Sequence, residues 1–311
     1  MLRQTLLAVS ANQRIRGLIS GNPATRKVVE RFVAGDTSAD AVRTARRLRA
    51  DGLLVTLDYL GEDTTEPAQA TATTEEYLSL LGQLAAEGLT EDGGVEVSVK
   101  PTAVGLYLAQ DGERTATDNI ARIATVARDA GTTVTVDAED HVAVDASQRI
   151  VAALRSDHPD LGIVVQAMLR RTEADCKNLA IKGSRVRLCK GAYNEPEAEA
   201  FTARHDIDRS YARCLRILME GDGYPMVASH DPRLIEIAGA LALQNGRLAE
   251  DFEYQMLFGI RPDEQRRLAA TGAQVRVYVP YGDDWYGYLV RRLAEKPANL
   301  RFFLRSLGSR S

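Results

Sequence analysis

Eight short apolar runs, most of them carrying β-branched residues, punctuate this chain at intervals too long for hairpins. They are LLVTLDYL (53–60), VEVSVK (95–100), TVTVDA (133–138), GIVVQAML (162–169), RVRLCKG (185–191), YPMVASH (224–230), DFEYQML (251–257) and VRVYVP (275–280). The stretches between them have helical periodicity, as in TTEEYLSLLGQLAAEG, TDNIARIATVARDAG, ASQRIVAALRSDHP, EADCKNLAIKG, RLIEIAGALALQNG and PDEQRRLAATG. Several end in glycine, a common helix C-cap. Strands that alternate with helices pair in parallel through crossover connections. Eight such units predict an α/β fold, a (β/α)8 or TIM barrel. A doubly wound open sheet is the other architecture of this type. No strand–turn–helix here carries G-x-G-x-x-G, which disfavours it. Residues 1–50 precede the first strand and read as an N-terminal helical extension, broken near Gly21–Pro23 and Gly35–Asp36. Residues 51–311 form the barrel domain in this reading, with no second domain.

Composition narrows the function. Of 311 residues, 26% are charged and 45% hydrophobic, with a net charge of -4, as expected of a globular protein and not of one that binds nucleic acid. No apolar run approaches the ~20 residues of a membrane span. The start, MLRQTLLAVSANQRIRGLIS, lacks the apolar core and cleavage site of a signal peptide. The three cysteines suit a reducing compartment, and Cys189, within an apolar strand, reads as a core thiol. The four histidines have no metal-like spacing, so no metal site is expected.

In a barrel the chemistry gathers at the C-terminal ends of the strands. Polar residues stand at those ends here. Lys100 closes the second strand, where it reaches solvent, adds positive charge to an anion site, or serves as a Schiff-base lysine. Asp137 closes the third, as a cap for the next helix or as an acid in the barrel mouth. Gln166, inside VVQAML, calls for a partner, and its amide both donates and accepts. In RVRLCKGAYNEP, Arg187 alternates with Leu188 and faces the same side as Cys189, an inward position that is costly unless the arginine is paired or holds a ligand. A reduced flavin, which carries negative charge, is one such ligand. Gly191-Ala192 would let backbone approach a cofactor closely. Ser229 and His230 end the sixth strand, where they suit phosphate or ribitol oxygens, unless His230 is only a loop residue. Tyr288, Arg291, Arg292 and Glu295 fall at i, i+3, i+4 and i+7, along one side of a helix. That spacing fits a solvated face. It also fits a pair of guanidiniums that grip a small carboxylate, compensated by Glu295 or by an acid from another strand such as Glu62.

Together DYLGE, SVKPTAVGL, VDAED, VVQA, RLCKGAY, RVYVPYG and YLVRRLAE resemble the proline dehydrogenase family, both its monofunctional bacterial members and the corresponding domain of proline utilization A. The motifs run in order from about residue 53 to 299. The resemblance implies a distorted (β/α)8 barrel, noncovalent FAD and oxidation of L-proline to 1-pyrroline-5-carboxylate by hydride transfer, with electrons passed to a quinone. It implies Lys100, Arg291 and Arg292 on the substrate carboxylate, Asp137 and Arg187 as catalytic groups, and Tyr278 and Tyr288 as pocket walls. Contacts to FAD would come from Asp137, Ala138, Gln166, Arg187, Lys190, Gly191, Ala192, Ser229 and His230. The family often has threonine where Ser229 stands, and its bifunctional members have tryptophan where Asn194 stands. A cytoplasmic location, contact with the inner face of the membrane and a pyrroline-5-carboxylate dehydrogenase downstream follow from the same resemblance. Two other readings are a Schiff-base lyase acting through Lys100 and an amino-acid-binding protein without catalysis.

Overall fold

The structure, a computed structural model, describes residues 29–295, with the side chains at 292–295 left out. The eight apolar runs form β1 Leu54–Tyr59, β2 Val95–Val99, β3 Val134–Val136, β4 Gly162–Gln166, β5 Arg185–Cys189, β6 Tyr224–Ala228, β7 Glu253–Leu257 and β8 Val275–Tyr281. They pair in parallel and in chain order, and β8 closes on β1 through six residue pairs from Leu54↔Arg276 to Tyr59↔Tyr281. The (β/α)8 barrel expected from the alternation is present. Around it lie α1 Ser38–Ala50, α2 Pro67–Ala86, α3 Gly112–Asp129, α4 Val144–Leu154, α5 Thr172–Leu179, α6 Arg204–Glu220, α7 Pro232–Gln244, α8 Pro262–Ala270 and α9 Trp285–Glu295. Local chemistry sets several starts: Thr37 and Asp40 form a capping box on α1, and Pro67, Pro232 and Pro262 open α2, α7 and α8.

Strand alternation divides the molecule into two interiors. One set of side chains, including Val55, Leu57, Val97, Val136, Ile163, Val186, Leu188, Val277 and Val279, faces the helices and joins a single apolar cluster. The helices meet it with Tyr77, Leu80, Leu81 and Leu84 from α2, Ile120 and Ile123 from α3, and Tyr211, Leu215 and Leu218 from α6. The alternate set points into the barrel and is polar: Thr56, Asp58, Glu96, Ser98, Thr135, Asp137, Arg187, Glu253, Gln255 and Arg276 are all buried. Hydrogen bonds between non-adjacent strands, such as Arg187 on β5 to Gln255 on β7 and to Ser98 on β2, cross the barrel interior. Gly162 keeps that interior open, because a Cβ there would lie 2.7 Å from Thr135 Oγ1.

The barrel is distorted at its closing seam. α1 packs outside β1 and β8, where the eighth crossover helix of a regular barrel would lie. The last helix, α9, instead reaches the loops at the mouth. Tyr288 and Leu289 pack with Leu60, at the end of β1, and with Val29, Phe32 and Val33. α1 falls within residues 1–50, the segment read from the sequence as an N-terminal helical extension; residues 1–28 lie outside the described residues.

Candidate active site

At the base of the mouth, Arg187 is held by four strands. Its Nη1 donates to Asp137 Oδ1 at 2.6 Å and to Ser98 Oγ at 3.0 Å, and its Nε donates to Gln255 Oε1 at 2.5 Å. The guanidinium lies 5.3 Å from the centre of the Tyr278 ring, within reach of a cation–π contact. Tyr278 in turn donates its hydroxyl to Asp137 Oδ2 at 2.7 Å. Burial and the Asp137 charge hold that phenol well above its ordinary pKa, so it stays a donor. Asp137 is therefore no helix cap. Its neighbour Asp140 takes that task, accepting the Ala143 N–H at 3.1 Å.

Lys100 projects above this layer and is buried against Asp58, with Nζ 2.6 Å from Oδ1. Burial alone would pull its pKa down. Asp58, Asp137 and Glu62 outweigh that and hold it above the ordinary value, so Lys100 is an ammonium. An ammonium cannot attack a carbonyl, which weighs against the Schiff-base reading. Asp58 was not singled out from the sequence. Its Oδ2 is buried with no hydrogen-bond partner among the described residues.

α9 brings Arg291 to the same opening. Arg291 makes a two-pronged pair with Glu62 on the loop after β1, at 2.8 and 3.3 Å, and lies 5.6 Å from the Tyr193 ring centre. Burial would push Glu62 up, but Arg291 holds its carboxyl below the usual range. Glu62 also feels the charge of Lys100. A cavity of about 220 Å³ opens here, lined among others by Glu62, Glu139, Ala192, Tyr193 and Arg291. Glu139 accepts the backbone N–H of Thr102 at 3.1 Å and its hydroxyl as well. Burial pushes Glu139 up to about 7 despite those bonds.

The remaining expected residues divide. Gln166 is buried and donates through Nε2 to the Glu139 carbonyl at 2.7 Å, which leaves its amide oxygen as the acceptor. Gly191 has φ +97, and a Cβ there would run into the Met168 side chain at 2.5 Å. Lys190 turns to Asp208 and Asp231, so its charge is already compensated. Ser229 Oγ accepts the Asp231 N–H at 3.1 Å, and His230 Nε2 accepts the Leu257 N–H at 2.8 Å, which places the ring proton on Nδ1. Tyr288 sits in the apolar cluster with Leu60 and Phe32. The side chains of Arg292 and Glu295 lie outside the described residues. Cys189 is half-buried, not a core thiol, because its alternate faces the barrel interior. Among the described residues no group of histidine, cysteine and carboxylate side chains is placed to hold a metal.

The donors and acceptors of the mouth suit a planar heterocycle with a pyrimidine-like edge. Arg187 Nη2 is buried and finds no hydrogen-bond acceptor among the described residues; Glu96 Oε1 lies 3.5 Å away, an ion-pair contact only. Nη2 thus faces a buried carboxylate one layer below the mouth.

A family model described as proline dehydrogenase matches residues 41–305. The chain is 36% identical over 307 residues to proline dehydrogenase 1 of Bacillus subtilis (strain 168), covering 99% of both chains. It is 34% identical over 311 residues to a proline dehydrogenase of Deinococcus radiodurans, covering 99% of this chain and 98% of the other. Among solved structures, proline utilization A from Bdellovibrio bacteriovorus superposes with a TM-score of 0.81 at 24% identity, over 95% of this chain and 36% of that longer one. At that identity the likeness carries the fold.

Proposed function

Because the chain belongs to the proline dehydrogenase family, we propose that it oxidises L-proline to 1-pyrroline-5-carboxylate, the first step of proline breakdown, with bound FAD. The observation that carries this reading is that Glu62 and Arg291 line one cavity, with the Lys100 ammonium close enough for its charge to act on Glu62 and with the Asp137–Arg187–Tyr278 cluster nearby. Ala138, Gln166, Arg187, Lys190, Gly191, Ala192, Ser229 and His230 would hold the FAD, with Asp137 beside them. The flavin supplies an acceptor for the hydride that leaves the proline ring carbon beside nitrogen.

The chain's own residues do the rest. Arg291, with Arg292 and Lys100, binds the proline carboxylate, and Glu62 must yield Arg291 to it. Glu295 on the same helix is a compensating acid for the arginines. Tyr278, fixed by Asp137, forms one wall, and Tyr288 backs the clamp helix. Arg187 places a fixed positive charge where negative charge develops during the reaction. Burial of the whole assembly excludes water, which strengthens these interactions. The amine must be neutral to release hydride, so turnover rises with pH. A fixed aromatic wall at Tyr278 leaves little room for a ring hydroxyl, so proline is preferred over hydroxyproline.

Electrons leave for a quinone. No described helix is long and apolar enough to cross a membrane. We place the enzyme in the cytoplasm, with peripheral contact at the inner face of the membrane, and the product goes to a pyrroline-5-carboxylate dehydrogenase. The purified protein should show a flavin spectrum that bleaches when proline is added without oxygen. A colourless protein that traps substrate on Lys100 under borohydride would instead establish the lyase. Amino-acid binding with neither colour nor turnover would establish a binding protein.

A further inference from the structure

Asp137 and Ser98 hold only one side of Arg187. Its Nε–H points away from them, to Gln255 Oε1 on β7. An amide can be turned either way, and the wrong turn would set its NH2 against that N–H. Glu253 decides which way, from two residues earlier on the same strand and the same inward face. Gln255 Nε2 donates to Glu253 Oε1, and an ionised carboxylate can only accept. Glu253 is itself fixed by Arg276 Nε at 2.8 Å and by the Tyr224 hydroxyl at 3.3 Å. Arg276 is anchored on the carbonyls of Val55 at 3.0 Å and Gly93 at 3.2 Å. The hydrogen bonds are therefore satisfied in one sense only, from Arg276 through Glu253 and Gln255 to Arg187. Glu253 is 0% and Gln255 3% exposed, so water does not compete for either bond.

We propose that Gln255 is a positioning residue: it sets the plane of Arg187, so that Nη1 meets Asp137 and Ser98 and Nη2 stays beside Glu96. Gln255 touches neither substrate nor cofactor and acts through Arg187. Its consequence for turnover rests on the reading of Arg187 as the charge beside FAD. Its hold on the arginine does not.

Three variants test this. Gln255→Leu removes the acceptor. Gln255→Glu keeps it but sets two carboxylates face to face at Glu253. In the double variant Glu253→Gln/Gln255→Glu, donor and acceptor trade places and the charge is conserved; Arg276 gives up its bond to 253 and keeps the Val55 and Gly93 carbonyls and the Glu96 ion pair. Both single variants should slow flavin reduction by about tenfold or more with the proline KM within about twofold, as for a group that matters in the transition state. They should also move the flavin midpoint potential to more negative values. The double variant should recover most of both. A purely structural Gln255 would lower Tm and flavin content together and leave the potential and the KM-against-rate split of the remaining holoenzyme as in the wild type, which overturns the proposal. So does a double variant no better than Gln255→Glu. A third readout needs no flavin: the Arg187 Nε–H resonance, assigned by its loss in Arg187→Lys, should be slow to exchange in the wild type and fast in Gln255→Leu. If the wild type binds no flavin, the functional reading fails while this resonance still decides the role of Gln255. Equal exchange in the two proteins rejects it.

Discussion

Glu62 occupies the position on Arg291 that the clamp reading gives to the substrate. Both are carboxylates, and Arg291 meets Glu62 with two nitrogens, at 2.8 and 3.3 Å. On that reading substrate binding is an exchange of one carboxylate for another, and the arginine is never left in a low-dielectric site without an anion. Charge-assisted hydrogen bonds are worth about 1.5–3 kcal/mol each, so Arg291→Ala should raise the proline KM roughly 10- to 100-fold while FAD stays bound. A KM equal to the wild type's would remove Arg291 from the clamp. The sequence offers two acids for the arginine pair, and the structure brings the distant one, Glu62, onto Arg291. Helical spacing shows which residues share a face of α9. It carries nothing on which loop 229 positions away folds back to meet them. Asp58 shows the same limit from the other side: it stands in DYLGE, but only the closure of β1 on β2 makes it the partner of Lys100.

Strands are the most legible elements, because all but β7, EYQML, combine β-branched residues with turn chemistry at their ends. The alternation that marks Arg187 as inward also marks VEVSV, EYQML and VRVYV, where Glu96, Glu253, Gln255 and Arg276 take every second place. Spacing alone does not mark these polar residues as an interior network, because barrel interiors are usually filled by branched apolar side chains. The interior here instead pairs carboxylates with guanidiniums. Burial would raise Glu96, but Arg276, Arg185 and Arg187 bring it down to about 2. Such a set is stable as a whole and costly in part, since removing one partner of a buried pair leaves the other uncompensated. Arg276→Leu should therefore destabilise the protein by about 3–5 kcal/mol in urea unfolding, more than the loss of packing alone. A loss below about 1 kcal/mol, the worth of a surface pair, would mean that water reaches this layer. The departure of α9 from the barrel wall is not legible at all. Its sequence reads as an ordinary eighth crossover helix, and what displaces it is α1, which already packs on β1 and β8.

At the scale of the molecule, the mouth is a set of separate loops that the barrel holds in register, and Glu139 is one of the groups that tie them together. Its carboxylate takes both donors of Thr102 from the loop after β2, and its carbonyl takes Gln166 from β4. His141 and Glu195 add a link from the same loop to the one after β5. The Glu139 tie has a pH cost. An ordinary glutamate in the unfolded chain titrates near ~4.3, whereas burial pushes Glu139 up to about 7 in the fold. Between those values the native state holds a proton that the unfolded chain has released. Rising pH therefore favours unfolding across that window, and the penalty levels off above the folded value. The full effect is about 4 kcal/mol at most, since each tenfold difference in proton affinity between the two states is worth about 1.4 kcal/mol. Glu139→Gln keeps an acceptor for the Thr102 N–H and a donor for its hydroxyl, but has no proton to lose. The stability of this variant relative to wild type should then improve by about 2–3 kcal/mol between pH 5 and pH 8. The comparison belongs on protein freed of flavin, because a ligand bound only by the native state adds its own pH dependence. A difference that stays flat across that range would mean that Thr102 keeps Glu139 ionised, and that the mouth carries one more fixed negative charge against which the substrate carboxylate must bind.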